Sequence, residues 1–342
     1  MNPKLHRLEQ FARYLQEEQL SAALVYDEFN VRALTGIECD NACLVVLPDA
    51  PPIFYTDFRY VPMVHRVAPE LKVKDIKKVV FPGKRAGYEP SMSHARFLAL
   101  QKAHPGVEFV DVEPKIKELR AVKTPEEIEK LRAVEALNDK IWSLAQERIR
   151  PGMTEREMAR VIQVLMVEHG DGEAFATIVC VGKHAAECHH VPDDTVWNGK
   201  EPVLVDMGVK LDGVCADMTR NIVPKTVRGL YRKIYKIVLE ANEKAIAGLR
   251  PGMTGKALDK IARDHIAKAG YGKAFGHSLG HGVGYQVHEA PNASSKSKMK
   301  LLPGMFVTIE PGIYLEGKLG VRIEDLVQVT STGCTVVSHS AK

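Results

Sequence analysis

The chain has 342 residues, of which 45% are hydrophobic and 26% are charged, and its formal net charge is +4. This composition is typical of a globular protein long enough for two domains, and the small net charge argues against nucleic acid or an anionic membrane as partner. The N-terminus lacks the apolar run of a secretory signal, and no stretch of 18 apolar residues follows. We therefore expect a cytoplasmic protein whose six cysteines are small core residues or free thiols and form no disulfides.

The first 120 residues alternate helical and strand patterns. An amphipathic helix is predicted at residues 8–18, and apolar segments predict strands at 22–26, 42–47, 52–56 and 72–81. Helices between short strands indicate an α/β domain with a partly parallel or mixed sheet. Thr124, Pro125 and Glu127 then have the spacing of a capping box that begins a long helix. We therefore place the domains at residues 1–120 and 121–342.

Two segments of the second domain resemble each other at a distance of one hundred residues. The stretch "IRPGMTEREMARVI" (149–162) returns as "LRPGMTGKALDKIA" (249–262), with Ala257 in place of Glu157. Each copy begins with Pro-Gly and runs into a predicted helix, and each is followed by a hairpin pattern. The match predicts an internal duplication of a helix–hairpin unit.

The hairpin after the first copy carries two acidic residues in apolar strands. Residues 204–220 predict a hairpin centred on Asp212-Gly213, in which Asp206 faces Thr219 and Asp217 is the diagonal neighbour of Asp206 on the same face. Two carboxylates placed side by side in a buried strand pair repel each other, so a positive partner is needed. A bulge after the turn would move Asp217 to the other face.

The hairpin after the second copy repeats this arrangement. Residues 306–329 predict a hairpin centred on Gly317, with Glu310 and Glu324 directly opposite each other. Two such hairpins packed face to face would gather four carboxylates, which only a cluster of basic residues or a pair of divalent cations could neutralise. Few basic residues lie nearby in sequence, and the histidine-rich segment 275–291 between the hairpins offers imidazole. The sequence therefore favours a pair of divalent cations over a cluster of basic residues as the positive partner of the four carboxylates.

Asp206, Asp217, His281, Glu310 and Glu324, with the stretches "DGVCADMTR", "HSLGHGVG", "VHEAP", "TIEPGIY" and "VRIEDLV", resemble the pita-bread metallopeptidases. That family includes methionine aminopeptidase, aminopeptidase P and prolidase. The stretches "NVRALTG" (30–36) and "TDFRY" (56–60) resemble the additional domain of the prolidase and aminopeptidase P branch. The resemblance implies an α/β (α+β) fold with an N-terminal creatinase/prolidase-type domain. A C-terminal pita-bread domain with an internal pseudo-twofold repeat would follow.

The resemblance also implies two divalent metal ions and a ligand set. Asp206 would bind one ion, His281 and Glu310 the other, and Asp217 and Glu324 would bridge both. The carboxylate-rich set favours Mn, with Co, Zn or Fe as alternatives. A hydroxide bridging the ions would attack the scissile carbonyl.

Further site residues follow from the same resemblance. Glu310 would be the general acid/base, while His189 and His288 would contact the substrate and stabilise the tetrahedral intermediate. Arg322 would lie near the bridging glutamate and is placed with the substrate-binding residues. Phe175 either lines the substrate pocket or packs in the core. We expect His277 to be structural or to support the metal ligands, and His184 and His190 to be solvated or packing residues.

The implied activity is hydrolysis of the Xaa-Pro bond at the N-terminus of dipeptides or short peptides by a homodimer. Many prolidase-like proteins carry an arginine where this chain has Asn292, which weakens a strict dipeptidase interpretation. The alternatives are a creatinase-like, metal-independent C–N hydrolase and a non-catalytic peptide-binding module, and the intact ligand set argues against both. The substrate length, the preferred N-terminal residue, the native metal and the physiological role stay open.

Overall fold

The computed structural model describes the backbone of residues 3–342 and the side chains from residue 6 onward. The chain divides into two compact units, Met1–Arg120 and Ala121–Lys342.

The N-terminal unit contains a six-stranded mixed sheet with the strand order β4-β3-β2-β1-β5-β6. Its strands are β1 (Ala22–Val25), β2 (Ala42–Val46), β3 (Ile53–Thr56), β4 (Lys72–Asp75), β5 (Arg85–Tyr88) and β6 (Glu108–Asp111). Its helices are α1 (Pro3–Glu17), α2 (Glu28–Thr35), α3 (Val61–Val67), α4 (His94–Ala103) and α5 (Glu113–Ala121). Strand β2 runs antiparallel to β1 and β3, and the other neighbouring pairs are parallel.

Both faces of this sheet are buried, as the unbroken apolar strands require. Ala23 and Val25 on β1 pack in one cluster with Phe11 of α1, whereas Leu24 packs on the opposite face with Leu100 of α4. The mixed α/β architecture is thus the predicted one. One strand prediction was wrong in part: β4 ends at Asp75, whose side chain accepts a hydrogen bond from the next turn and starts a short 3-10 helix.

The C-terminal unit is built from four helices and small antiparallel sheets. The helices are α6 (Pro125–Arg148), α7 (Glu155–His169), α8 (Leu230–Gly248) and α9 (Gly255–Lys268). The strands of the first half are β7 (Ile178–Val181), β8 (Val203–Met207), β9 (Lys210–Leu211), β10 (Val214–Cys215) and β11 (Met218–Ile222). Those of the second half are β12 (Gly280–Gly282), β13 (Glu289–Ala293), β14 (Phe306–Ile309), β15 (Gly312–Leu315), β16 (Leu319–Arg322), β17 (Asp325–Val329) and β18 (Cys334–Val336).

The internal repeat predicted from residues 149–162 and 249–262 is confirmed by matching backbone hydrogen bonds. The amide of Gly152 donates to Trp197 O at 2.8 Å, and the amide of Gly252 donates to Leu301 O at 2.7 Å. Thr154 and Thr254 cap α7 and α9 in the same way, but only the first copy completes its capping box. The two halves therefore share one scaffold.

Both hairpins have the predicted register. Thr219 pairs with Asp206, and the turn residues Asp212 and Gly213 both have positive φ, at 51° and 69°. This backbone is that of the tight hairpin turn that Asp-Gly favours. In the second hairpin, Ile309 pairs with Asp325 and Gly312 with Arg322. Positions 310 and 324, which lie between these pairs, are therefore opposite each other.

Candidate active site

A cavity of about 400 Å³ in the C-terminal unit gathers the site residues predicted from the sequence. Every one of them lines it: Phe175, His189, Asp206, Asp217, His281, His288, Glu310, Arg322 and Glu324. They come from both hairpins, from β12, from the loop that precedes β7 and from the loops that follow β7 and β12. The two halves of the repeat therefore contribute to one site.

The acidic groups and His281 lie within ligand distance of one another. His281 Nε2 is 3.5 Å from Asp217 Oδ2 and 3.3 Å from Glu310 Oε1. Single ligand atoms of Asp217, His281 and Glu324 all lie within 4.8 Å of each other. Divalent metals bind carboxylate oxygen and imidazole nitrogen at about 2.0–2.2 Å, so this spacing suits a shared ion.

The ladder of each hairpin is interrupted at or next to its acidic residues. In the first hairpin, Met207 and Met218 form the pair of β8 and β11 that lies nearest the turn. Asp217 comes directly before Met218 in the chain and is unpaired in this ladder. The freed amide of Asp217 donates to Glu135 Oε2 at 3.2 Å. Strand β12 packs directly against the backbone of β14, since a Cβ at Gly280 would lie 1.9 Å from Thr308 O. The neighbouring His281 is thereby fixed opposite the acidic residues.

The electrostatics of the site are those of crowded, buried carboxyl groups. Burial and the charge of Glu324 raise the pKa of Asp217 well above its usual range. Burial, with the charges of neighbouring carboxylates, also raises the pKa values of Glu324 and Asp206. Burial would raise the pKa of Glu310 too, but the hydrogen bond and charge of His281 outweigh it and the pKa lies below the usual value. The carboxyl groups together need more positive charge than the side chains supply.

Arg322 holds one side of the cluster through hydrogen bonds. Its Nη2 donates to Asp206 Oδ2 at 2.7 Å and its Nε donates to Thr219 Oγ1 at 2.9 Å. The Thr219 hydroxyl donates onward to Glu324 Oε2 at 2.8 Å. Arg322 Nη1 also donates to the Tyr314 hydroxyl at 3.1 Å. The parts played by Tyr314 and Thr219 were not predicted from the sequence, although the predicted hairpin register placed Thr219 opposite Asp206.

Two features fit the divalent ions that the ligand set implies. Asp206 Oδ1 is buried and accepts no hydrogen bond from the described residues, which is costly for a carboxylate oxygen unless a cation lies beside it. His281 Nδ1 lies 3.1 Å from the carbonyl oxygen of Gly282 and donates to it, so Nε2 is directed to the acidic groups. Holding the remote nitrogen in this way is how proteins orient a metal-binding histidine.

The remaining wall of the cavity is partly apolar. Phe175, Ile178 and Val287 line it beside His189 and His288. The ring of Phe175 packs directly on Gly208, where a Cβ would lie only 2.6 Å from it. The absence of a side chain at position 208 therefore leaves room for the ring. His277, expected to be structural or to support the metal ligands, lines the cavity, and its Nε2 is 2.9 Å from the Tyr314 hydroxyl.

Comparison with known proteins identifies the class that this fold and site define. Residues 129–331 match metallopeptidase family M24, and residues 7–122 match the creatinase/prolidase N-terminal domain. The chain belongs to metallopeptidase family M24 and is a metallo-exopeptidase, as the sequence analysis predicted.

Individual relatives resemble the chain over its whole length. A Bacillus subtilis protein described as an uncharacterized peptidase is 33% identical, and the match covers 98% of each chain. Among solved structures, the Xaa-Pro dipeptidase from Bacillus anthracis has a TM-score of 0.93 and 31% identity, covering 99% of this chain and 98% of its own. Prolidase from Pyrococcus furiosus has a TM-score of 0.90 and 33% identity, covering 97% and 100%. Among the described residues, no helix is long and apolar enough to cross a membrane.

Proposed function

We propose that this metallo-exopeptidase cleaves the bond between an N-terminal residue and a following proline in dipeptides or short peptides. Two divalent ions would be held by Asp206, Asp217, His281, Glu310 and Glu324. The observation that carries the proposal is the convergence of these five side chains on one cavity, where Asp206 Oδ1 is buried without a hydrogen-bond partner among the described residues.

The substrate class is supported by the relatives and by the cavity wall. The two solved structures named above are an Xaa-Pro dipeptidase and a prolidase. Apolar side chains of Phe175, Ile178 and Val287 offer a surface against which a proline ring can pack. A cavity of about 400 Å³ is of the size that accepts a small peptide end.

Bound divalent ions would lower the pKa of a water molecule and polarise the scissile carbonyl. Glu310 would take a proton from the attacking water and deliver it to the proline nitrogen. A carboxylate that binds a divalent ion is ionised, as a base must be. Burial and the nearby His281 lower the pKa of His288, so its imidazole is neutral at that pH. A neutral imidazole at His288, with His189, can donate a hydrogen bond to the carbonyl oxygen as negative charge develops.

Arg322 would act by positioning Asp206 rather than by touching the substrate. It holds Asp206 Oδ2, which leaves Oδ1 free to face an ion. Manganese as the native metal, a cytoplasmic location and a homodimer also belong to the proposal. Light scattering of the purified protein tests the dimer, and metal analysis of protein expressed without added metal tests manganese.

The substrate proposal is tested by comparing Ala-Pro, Ala-Pro-Ala and Ala-Ala after chelation and addition of Mn²⁺ or Co²⁺. We expect metal-dependent hydrolysis of one or both proline peptides and little of Ala-Ala. Equal hydrolysis of Ala-Ala would refute proline selectivity. Activity that persists unchanged in the chelated protein would favour a metal-independent hydrolase instead.

The ligand assignment is tested by Asp217→Asn, with Asp264→Asn on the exposed side of α9 as matched control. Loss of this metal ligand should reduce kcat/KM by more than about a hundredfold, the upper range for residues that only support metal ligands. It should also reduce the metal bound per chain, while the control keeps both. Full turnover in the folded Asp217→Asn variant would overturn the assignment.

A further inference from the structure

A second group of side chains of the types that bind metal ions lies outside the active-site cavity. Glu155, His184, His190 and Asp193 each offer one ligand atom, and these four atoms all lie within 4.8 Å of one another. None of the four lines the active-site cavity. Glu155 is the first residue of α7, and the other three belong to the segment that follows β7.

Glu155 is the centre of this cluster. Its Oε1 lies 2.9 Å from His184 Nδ1 and its Oε2 lies 2.7 Å from His190 Nε2. The Glu155 side chain is fully buried, and the His184 and His190 side chains are 19% and 8% exposed.

The second ring nitrogen of His190 is held as it would be in a metal site. His190 Nδ1 lies 3.3 Å from Glu187 Oε2, on the side away from Glu155. Metal-binding histidines in proteins commonly donate their remote N–H to a carboxylate, which fixes the ring and raises the basicity of the ligating nitrogen. The Glu187–His190 pair provides this support.

The repeat shows that the shared scaffold does not require the acidic cluster. Gly255 occupies the position of Glu155 in the second half, and its amide donates to Met299 O at 3.0 Å just as the Glu155 amide donates to Thr195 O at 3.1 Å. A Cβ at Gly255 would lie 2.0 Å from Asn292 O, so no side chain fits there. The same helix start forms without a carboxylate, and the Glu155 cluster is therefore a feature that the first half alone carries.

We propose that Glu155, His184, His190 and Asp193 bind a divalent transition metal ion, with Zn²⁺ the best match to two imidazoles and two carboxylates. At the usual bond lengths, the ligand atoms of tetrahedral Zn²⁺ are about 3.4 Å apart. This value lies between the 2.7 and 2.9 Å that separate Glu155 from the histidines and the 4.8 Å limit within which all four atoms fall. The imidazoles bind through the nitrogens that now face Glu155, so the ion displaces protons shared with that carboxylate.

The ion would tie the start of α7 to the segment that carries active-site residues. Cys188 and His189 line the catalytic cavity and lie between the two histidine ligands in sequence. Fixing His184 and His190 to one ion restricts the chain between them. The site is therefore structural, and it orders the loop on which the proposed substrate contact of His189 depends.

The first test counts zinc. Chelated protein is incubated with excess ZnCl₂, freed of unbound ions by gel filtration, and analysed for metal per chain. The double variant His184→Asn, His190→Asn should bind one ion fewer than the wild type. His265→Asn, which removes a half-buried histidine paired with Glu240, is the matched control and should bind the wild-type number. Equal zinc content in all three proteins would overturn the proposal.

A second measurement does not depend on a variant that folds. In wild-type protein labelled with ¹⁵N-histidine, zinc should shift the resonances of His184 Nδ1 and His190 Nε2, while His265 stays unchanged. Amide hydrogen exchange of residues 183–193 should slow by about tenfold or more, as expected when a local opening is stabilised by a bound ion. Zinc that leaves both histidines unshifted would refute the site.

Discussion

The role of Arg322 can be measured by removing its charge while keeping its length. Arg322→Met leaves Asp206 as a buried carboxylate without its ionic partner, because the 2.7 Å hydrogen bond from Nη2 is lost. Removing one member of a buried ion pair costs about 3–5 kcal/mol. For a domain of roughly 150–250 residues, 1 kcal/mol corresponds to about 2–4 °C in Tm, so the metal-free C-terminal unit should melt roughly 6–20 °C lower.

Calorimetry of chelated protein at pH 7 provides this measurement, with Lys260→Met as the control. Lys260 and Asp264 form an exposed ion pair one helical turn apart, at 2.6 Å, and such pairs contribute about 0.3–0.5 kcal/mol. Bound divalent ions should restore much of the stability lost in Arg322→Met, because they neutralise Asp206 from its other oxygen. A change in Tm no larger than that of the control would refute the reasoning.

Two further predictions concern single positions. Gly280→Ala places a Cβ 1.9 Å from Thr308 O, so β12 must move; we expect a loss of about 1–3 kcal/mol and weaker metal binding. The control is Gly276→Ala, because no atom lies within 4 Å of the Cβ that it adds. Equal metal affinity of the two variants in a metal titration would contradict the prediction. Burial raises the pKa of Glu89 in the N-terminal unit to about 7. The folded unit therefore holds this proton more tightly than the unfolded chain, and stability falls by up to about 3 kcal/mol as pH rises from 4.5 through 7. Urea unfolding at pH 5 and pH 8 should show this decrease in the wild type and not in Glu89→Gln; equal decreases would disprove it.

The hairpins were predictable to the residue because their signals are local. Asp212-Gly213 selects a two-residue turn, and the turn then determines which residues pair along both arms. The acidic residues could be found for the same reason, since each interrupts an apolar strand.

Other parts of the fold and of the candidate sites depend on contacts between residues that are distant in sequence. Strands β5 and β6 were not predicted, because the short segments RAGY and EFVD have no alternating pattern and form only by pairing in the sheet. Likewise, nothing in the sequence around His184 or His190 reveals Glu155, which lies 29 and 35 residues away along the chain. Local pattern places side chains on an element, but it does not tell which elements meet.

The duplicated scaffold explains how the chain tolerates interrupted ladders next to its acidic residues. In each half, a helix asparagine supports the strand end at the interruption: Asn138 Nδ2 donates to Met207 O at 3.2 Å, and Asn242 Nδ2 donates to Ile309 O at 2.8 Å. Buried backbone groups without a partner would be costly, so these amides take over bonds that a continuous ladder would have made. Both carbonyls belong to residues adjacent to proposed metal ligands, Asp206 and Glu310. The same substitute bond thus supports a ligand-bearing strand end in each half, while the side chains beside it differ.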